Sequence, residues 1–263
     1  MKTAYGTYLK FQTNIAREKP STLLNRETNC PFCDRETIFK EGVIISQQAP
    51  FLLIENKFQT LERAYQMVLI ETETCEGDLS TYGKEHLHSL FDFAIHNWLA
   101  IEKSGKYRSV IFFKNHGIHS GGSIYHAHMQ IVGLYDVDYR AHLLPEHFQG
   151  IVIDRSPGVE FNLSTRPRGG FTEFNVVLSD LKSLYKMGDY VQIAVHFLLN
   201  HMNKRYKSYN IFFYEYQGHI IAKIVLRAPG SPYLMGYSIL QIPNNLDDTV
   251  QRVQSLYFSG AVK

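Results

Sequence analysis

The sequence predicts an α+β fold made of two copies of one helix–strand–strand unit, with mainly antiparallel sheet. The first observation is a helical pattern followed by an aromatic-rich strand, which occurs near residue 107 and again about a hundred residues later. The second is that no linker or low-complexity segment separates the halves. We therefore expect the copies, residues 1–150 and 151–263, to be merged into one domain.

The composition excludes several classes of protein. The chain has 263 residues, 44% hydrophobic and 20% charged, which is typical of a globular protein able to bury its own core. A net charge of +2 argues against a protein that holds nucleic acid or an anionic membrane through basic residues. The N-terminal residues contain no apolar run typical of a signal peptide, and no uncharged apolar stretch reaches ~18 residues. We expect a cytoplasmic protein with neither a nucleic-acid nor a membrane partner.

The first half is predicted to contain four strands and one helix. Ser80 is a candidate N-cap for a helix over 81–103, in which apolar residues recur at helical spacing. The strands are expected at 50–55, 65–71, 107–114 and from His126 to Gly133.

The second half repeats this order. A helix is expected from Asp180 to Asn203, with Gly188 as a candidate break point. Strands follow at 206–214 and 218–225, and a final helix is expected over 245–257. The 206–214 strand is similar to the 107–114 strand, so the two halves are interpreted as an internal repeat.

The glycine-rich loop and the last strand of the first half carry the most reactive side chains. On a strand, His126 and His128 point to one face, which Gln130 continues, while Ala127 points to the other. Backbone N–H groups of the preceding Gly121-Gly122-Ser123 segment are suited to hold phosphate oxygens. The alternative is a solvent-exposed sheet face that carries His-x-His-x-Gln without any function.

The cysteines pose a separate question, because three thiols cannot pair completely into disulfides. Cys30 and Cys33 form a Cys-x-x-Cys pair, which is typical of half a zinc site or of a redox pair, or arises by chance. The remaining cysteine is Cys75, between a predicted strand and a predicted helix. With one histidine from the His126 strand, the three cysteines supply the four ligands of a tetrahedral zinc site.

These motifs together resemble the galactose-1-phosphate uridylyltransferase branch of the histidine-triad superfamily, which also includes nucleotide-sugar phosphorylases. The segment from Asn115 to Gln130, with Gly121-Gly122-Ser123 and His126-x-His128, is similar to the family signature. Cys30-Pro31-Phe32-Cys33 resembles its zinc-binding pair, and Asn56-Lys57-Phe58 its nucleoside-pocket element. Cys75 stands where the family commonly has a histidine ligand, and cysteine is an equally suitable zinc ligand.

The resemblance implies a role for each matching residue. His128 would be the nucleophile, assisted by Gln130 and Ser123, because a neutral imidazole attacks phosphorus near pH 7 without a separate base. The implied metal is a structural Zn²⁺ held by Cys30, Cys33, Cys75 and His126. The implied substrate-binding residues are Asn56 and Phe58 for the nucleoside and Asn115, Gly121 and Gly122 for the phosphates.

The sequence also departs from the family pattern. The usual His-Pro-His is His126-Ala127-His128 here, and residues 16–20 only faintly resemble the family's basic nucleotide-contacting stretch, so no role is assigned to them. The second repeat has His219-Ile220-Ile221 where the family often has two histidines flanking a tryptophan. The specific resemblance therefore covers residues 28–134, and the second repeat is interpreted as degenerate.

The resemblance implies a nucleotidyltransferase that acts on a nucleoside diphosphate compound of the nucleotide-sugar type through a nucleotidyl-histidine intermediate. Its partners would be a nucleotide or nucleotide sugar and a phosphate-bearing acceptor, and the branch often forms homodimers. Three alternatives stay open: a zinc-stabilised nucleotide-binding protein without transfer, a nucleotide hydrolase or phosphorylase, and a redox protein that uses Cys30 and Cys33.

Overall fold

The structure is a computed structural model that describes residues 8–23, 29–169, 171–202, 207–227 and 243–258. The chain divides into two compact units. The first comprises residues 1–78 and 89–142, and the second comprises residues 79–88 and 143–263.

The first unit is built on five strands in the order β1-β2-β3-β5-β4, with antiparallel neighbours. The strands are β1 (Ile44–Gln48), β2 (Phe51–Glu55), β3 (Ala64–Ile70), β4 (Ser109–His116) and β5 (His128–Leu134). The helices are α1 (Thr13–Arg17), α2 (Arg35–Glu41) and α3 (Lys84–Lys103), whose first residues belong to the second unit.

The two faces of this sheet are both buried, but by different elements. Side chains alternate along each strand, and α3 covers one face, where Trp98 packs on Phe112 and Phe93 stacks on Phe51. The indole N–H of Trp98 donates to the Val110 carbonyl at 2.9 Å, so the one tryptophan is fully satisfied. This leaves the opposite face for α2 and for a ligand.

The helix α2 begins at an acidic cap and packs on that opposite face. The Asp34 carboxylate accepts a hydrogen bond from the Thr37 N–H at 3.1 Å, as an N-cap residue does. The hydrophobic cluster beneath the helix consists of Ile38, Leu52, Ile54, Val68 and Ile70, with Phe32 and Ile44 packed against it.

The second unit repeats the first. Its strand order is β6-β7-β8-β10-β9, which matches β1-β2-β3-β5-β4 position by position. The strands are β6 (Gly150–Ser156), β7 (Val159–Ser164), β8 (Glu173–Leu178), β9 (Tyr209–Tyr216) and β10 (His219–Leu226). The helices are α4 (Leu184–Phe197), which packs through Tyr190 and Phe197 on Phe161 and Phe174, and α5 (Leu246–Tyr257). The predicted α+β fold with repeated, mainly antiparallel sheets is confirmed, and the division at residue 150 stays a prediction.

Several predicted elements differ in detail. The segment predicted as a helix over 180–203 begins with a 3-10 turn at Leu181–Ser183 and continues as α4, in which Gly188 is buried and causes no break. It changes to a π-helical turn at Leu198–Met202. Its predicted end at Asn203 and the predicted strand start at Tyr206 lie outside the described residues. The strand predicted from His126 begins instead at His128, and His126 occupies a bend before it.

Among the described residues, no helix combines the length and apolar character needed to cross a membrane.

Gly133 of β5 lets an aromatic ring lie flat on the sheet. A Cβ atom there would come 2.5 Å from the ring of Tyr107. We expect Gly133→Ala to lower the free energy of unfolding by about 1–3 kcal/mol, because the ring would have to move. Urea denaturation measures this. Gly83→Ala is the matched control, since nothing lies within 4 Å of the added Cβ; equal effects of the two substitutions would contradict the assignment.

Candidate functional site

A cavity of about 490 Å³ lies on the α2 side of the first sheet. Its walls come from α2, the end of β2, the start of β5 and the loop before it. Seven residues singled out in the sequence line this one cavity: Asn56, Phe58, Gly121, Gly122, Ser123, His128 and Gln130. The fold therefore brings together residues separated by up to some seventy positions in the chain.

The ring of His126 is held in one tautomer. Its Nε2 lies 2.9 Å from the Thr72 carbonyl oxygen and 3.1 Å from the Thr72 hydroxyl. Because a carbonyl oxygen can only accept, Nε2 carries the proton and Nδ1 keeps its lone pair. Nδ1 in turn lies 3.5, 3.4 and 3.6 Å from the sulfur atoms of Cys30, Cys33 and Cys75.

These four residues have the geometry of a metal site. Their ligand atoms all lie within 4.8 Å of one another, and the sulfurs of Cys33 and Cys75 are 3.4 Å apart. In a tetrahedral zinc site, Zn–S bonds of about 2.3 Å and Zn–N bonds of about 2.0 Å separate the ligand atoms by roughly 3.6–3.8 Å. Three thiols and one imidazole nitrogen at this spacing are compatible with zinc.

His128 is held by the backbone of the same histidine. Its Nδ1 donates to the His126 carbonyl at 2.7 Å, which leaves the lone pair on Nε2. The side chain is only 6% exposed, and this burial lowers the pKa of His128 to about 4. The ring is therefore neutral near pH 7, and it lines the cavity.

The aromatic ring of Phe32 packs against both histidines. Phe32, between Cys30 and Cys33, makes edge contacts with the rings of His126 at 5.9 Å and His128 at 5.3 Å between centroids. The two imidazoles thus pack against the same side chain although His126 precedes the strand. Neither is solvent-exposed, which excludes the interpretation of His-x-His-x-Gln as an exposed sheet face.

The loop before His126 is fixed by the chain segment that precedes the cysteines. The Ser123 carbonyl accepts from the N–H groups of Thr22 and Leu23 at 2.9 and 3.1 Å. Gly121 adopts a left-handed backbone with φ of +87°. A Cβ on Gly122 would lie 3.3 Å from that of Asn115, so Asn115 packs behind the loop and is not among the described residues that line the cavity.

A buried glutamine network shapes the turn at Asn56. The Asn56 carboxamide oxygen accepts from the Phe58 N–H at 2.9 Å, and Gln59 donates to the carbonyls of Asn56 and Gln66. The side chain of Gln66 accepts from the Leu61 N–H at 3.0 Å. Neither glutamine is predicted from the sequence, because isolated polar residues in a strand and a loop form no motif.

Lys19 also lines the cavity, in a stretch to which the sequence analysis gave no role. It is half-buried, and this burial lowers the pKa of its ammonium. The basic character of residues 17–19 is the sequence feature that points to this position, and alone it is too weak to predict a role in the site.

Comparison with known proteins places the chain in a family. The sequence matches the N-terminal domain of DUF4931 over residues 11–137 and its C-terminal domain over 140–258, both described as domains of unknown function. A crystal structure of a DUF4931 family protein from Bacillus cereus is 39% identical, with a TM-score of 0.75, over 82% of this chain and 99% of that one. The chain belongs to the DUF4931 family. No match was found among curated proteins.

The fold of this DUF4931 chain is shared with more distant structures. A uridylyltransferase is 17% identical with a TM-score of 0.67, over 87% of this chain and 91% of that one. An ADP-glucose phosphorylase from Arabidopsis thaliana is 16% identical with a TM-score of 0.69, over 91% and 92%. At this identity the likeness shows the fold alone. The predicted resemblance to the uridylyltransferase branch of the histidine-triad superfamily is therefore confirmed for the fold.

Gln66 offers a test of how the DUF4931 cavity is shaped. Gln66→Leu removes the acceptor for the part-buried Leu61 N–H and for the buried Thr60 hydroxyl, and an unpaired buried donor costs about 1–3 kcal/mol. We expect that loss in unfolding free energy, together with faster hydrogen exchange at the Leu61 amide. Gln48→Leu is the matched control at an exposed position, expected within about 0.5 kcal/mol of wild type. Unchanged exchange at Leu61 in the Gln66 variant would contradict this role.

Proposed function

We propose that the protein is a nucleotidyltransferase that acts on a nucleoside diphosphate compound of the nucleotide-sugar type, with His128 as the nucleophile. The observation that carries the proposal is the hydrogen bond from His128 Nδ1 to the His126 carbonyl, in a ring that lines a cavity. It fixes both the tautomer and the direction of the attacking nitrogen. Misplacing such a nucleophile by about 1 Å can cost on the order of 10²-fold in rate.

The first step forms a bond between His128 Nε2 and the α-phosphorus. The bond from that phosphorus to the bridging oxygen breaks, and the leaving group departs as a phosphate monoester with the bridging electron pair. The imidazole, now bonded at Nε2 and still protonated at Nδ1, carries a positive charge, which the His126 carbonyl dipole stabilises. In the second step a phosphate oxygen of the acceptor attacks the same phosphorus, and the N–P bond breaks to restore neutral His128.

The other residues of the cavity bind and orient the substrate. The backbone of Gly121-Gly122-Ser123 and the Lys19 ammonium are suited to the phosphate oxygens, and Gln130 lies on β5 two residues beyond the nucleophile. Asn56 and Phe58 border the nucleoside. Asn115 acts indirectly, by supporting the loop from behind at Gly122.

Inorganic phosphate is a second candidate acceptor, which would make the enzyme a phosphorylase. The observation in its favour is the shared fold with the ADP-glucose phosphorylase. Both reactions pass through the same nucleotidyl-histidine, so the first step can be tested before the acceptor is known. The cytoplasmic location, the homodimer and the lack of nucleic-acid and membrane partners stay predictions.

A covalent adduct tests the first step. When the protein is mixed with a panel of nucleotide sugars, we expect its mass to increase by one nucleotidyl group, a nucleoside monophosphate less water. We expect this adduct to be labile in acid, as a phosphorus–nitrogen bond is. His128→Gly should abolish the adduct, whereas His142→Gly, at an exposed position, should retain it. Intact-protein mass spectrometry measures both.

No adduct with any nucleotide sugar, or an adduct that survives in His128→Gly, contradicts the transfer mechanism. Tight nucleotide binding by a protein that forms no adduct would favour the nucleotide-binding protein without transfer.

We further propose that Cys30, Cys33, Cys75 and His126 hold a structural Zn²⁺. Zinc bound there would supply a rigid anchor and no reacting group. The Thr72 carbonyl already selects the tautomer in which His126 Nδ1 is free to bind a metal, the kind of second contact that metal-ligating histidines make. Fixing His126 also fixes the carbonyl that holds His128.

Metal analysis tests the zinc site and excludes the redox alternative. We expect stoichiometric zinc in the wild-type protein and substoichiometric zinc in Cys75→Ser, with a lower melting temperature. Cys75→His is the matched variant and should retain the metal, because an imidazole nitrogen is also a zinc ligand. Full zinc content in Cys75→Ser, or a wild-type protein with three readily titrated thiols and no metal, would refute the assignment.

A further inference from the structure

The strand register locates the part of the cavity that lies beyond the phosphates. His128 of β5 is paired with Ile70 of β3, and Ile70 is paired with Leu52 of β2. Adjacent strands are ~4.8 Å apart, so β2 lies about 10 Å from the nucleophile. A nucleotide with its phosphorus at His128 and its ribose directed towards Asn56 and Phe58 would extend its base over β2 and α2.

That end of the cavity has an apolar floor. Ile38 of α2, Ile54 of β2 and Val68 of β3 line it, and they belong to the same buried cluster. An apolar surface of this kind suits the face of a nucleobase, so recognition of the base has to come from groups at its edge.

One carboxylate of the cavity lining, that of Glu41, has no partner among the residues that the structure describes. Glu41 is the last residue of α2 and lies four residues after Thr37, on the same side of the helix, and both line the cavity. Glu41 is exposed, and it makes no ion pair and no side-chain hydrogen bond with the described part of the chain. The other acid of the lining, Glu55, is already engaged by the Tyr65 hydroxyl at 2.9 Å.

The position of Glu41 is also unfavourable for the helix. The C-terminal end of a helix carries a partial negative charge and disfavours an acidic side chain. Glu41 therefore destabilises the helix, is exposed and lines the cavity. An acidic side chain in this position is suited to bind a ligand with adjacent N–H donors.

We propose that Glu41 makes the cavity selective for a guanine nucleotide. Guanine presents two adjacent donors, N1–H and the N2 amino group, which a carboxylate accepts as a bidentate pair. Adenine and cytosine offer one exocyclic amino group beside a ring acceptor, and uracil offers one N–H between two carbonyls that repel a carboxylate. This inference rests on the proposed function only in that a nucleotide must occupy the cavity.

Binding of nucleoside diphosphates to the full chain tests the proposal. We expect GDP to bind about ten-fold or more tightly than IDP, ADP, CDP or UDP, because a bidentate contact contributes discrimination of that order. IDP differs from GDP only in lacking the N2 amino group. Glu41→Gln should reduce the GDP-to-IDP ratio to near one, and Glu36→Gln, on the same helix but outside the cavity lining, should preserve it. Isothermal titration calorimetry measures each affinity.

Equal binding of all five diphosphates by the wild-type protein, or an unchanged GDP-to-IDP ratio in Glu41→Gln, overturns the inference and leaves the proposed function standing. A folded wild-type protein that binds none of the five overturns the proposed function as well.

Discussion

The hydrogen bonds around His126 are the interaction on which the site depends. The ring donates from Nε2 to the Thr72 carbonyl, which turns Nδ1 towards three thiols. The carbonyl of the same residue accepts from His128 Nδ1. One residue therefore connects the candidate metal-binding cluster to the candidate nucleophile through its side chain and its backbone, with no intervening element. The buried Lys114 ammonium contacts the Glu71 carboxylate and lies 3.5 Å from the His128 carbonyl. These contacts stabilise the start of β5.

Most of the candidate site could be predicted because its residues lie in short, dense motifs. The chemistry is strongly restricted by a Cys-x-x-Cys pair, one further cysteine and a His-x-His-x-Gln motif. Few kinds of site give a role to each of these reactive side chains. The prediction that His126 lies on a strand was wrong because its backbone bends to bring the ring to the thiols. The contact partners of these motifs were not predictable, because Lys19, Thr72 and Gln66 enter the site through tertiary packing.

The second unit was harder to predict in detail. Its strands β6, β7 and β8 were missed, and they are short strands with a mixed pattern. Asn162 and Asn175 are completely buried and hydrogen-bonded to each other at 2.9 Å, which interrupts the apolar alternation by which a buried strand is usually detected. By contrast, α4 and β10 have long apolar patterns, which predict their burial directly.

The four proposed metal ligands are far apart in sequence, and this has a consequence for folding. Cys30 and His126 are 96 positions apart, and Cys33 and Cys75 are 42 apart. Because only the folded chain brings these residues within reach of one ion, an ion bound there would stabilise the folded state by its whole binding free energy. A bound ion would thus act as a reversible cross-link that ties the segment leading into α2 to the central strands.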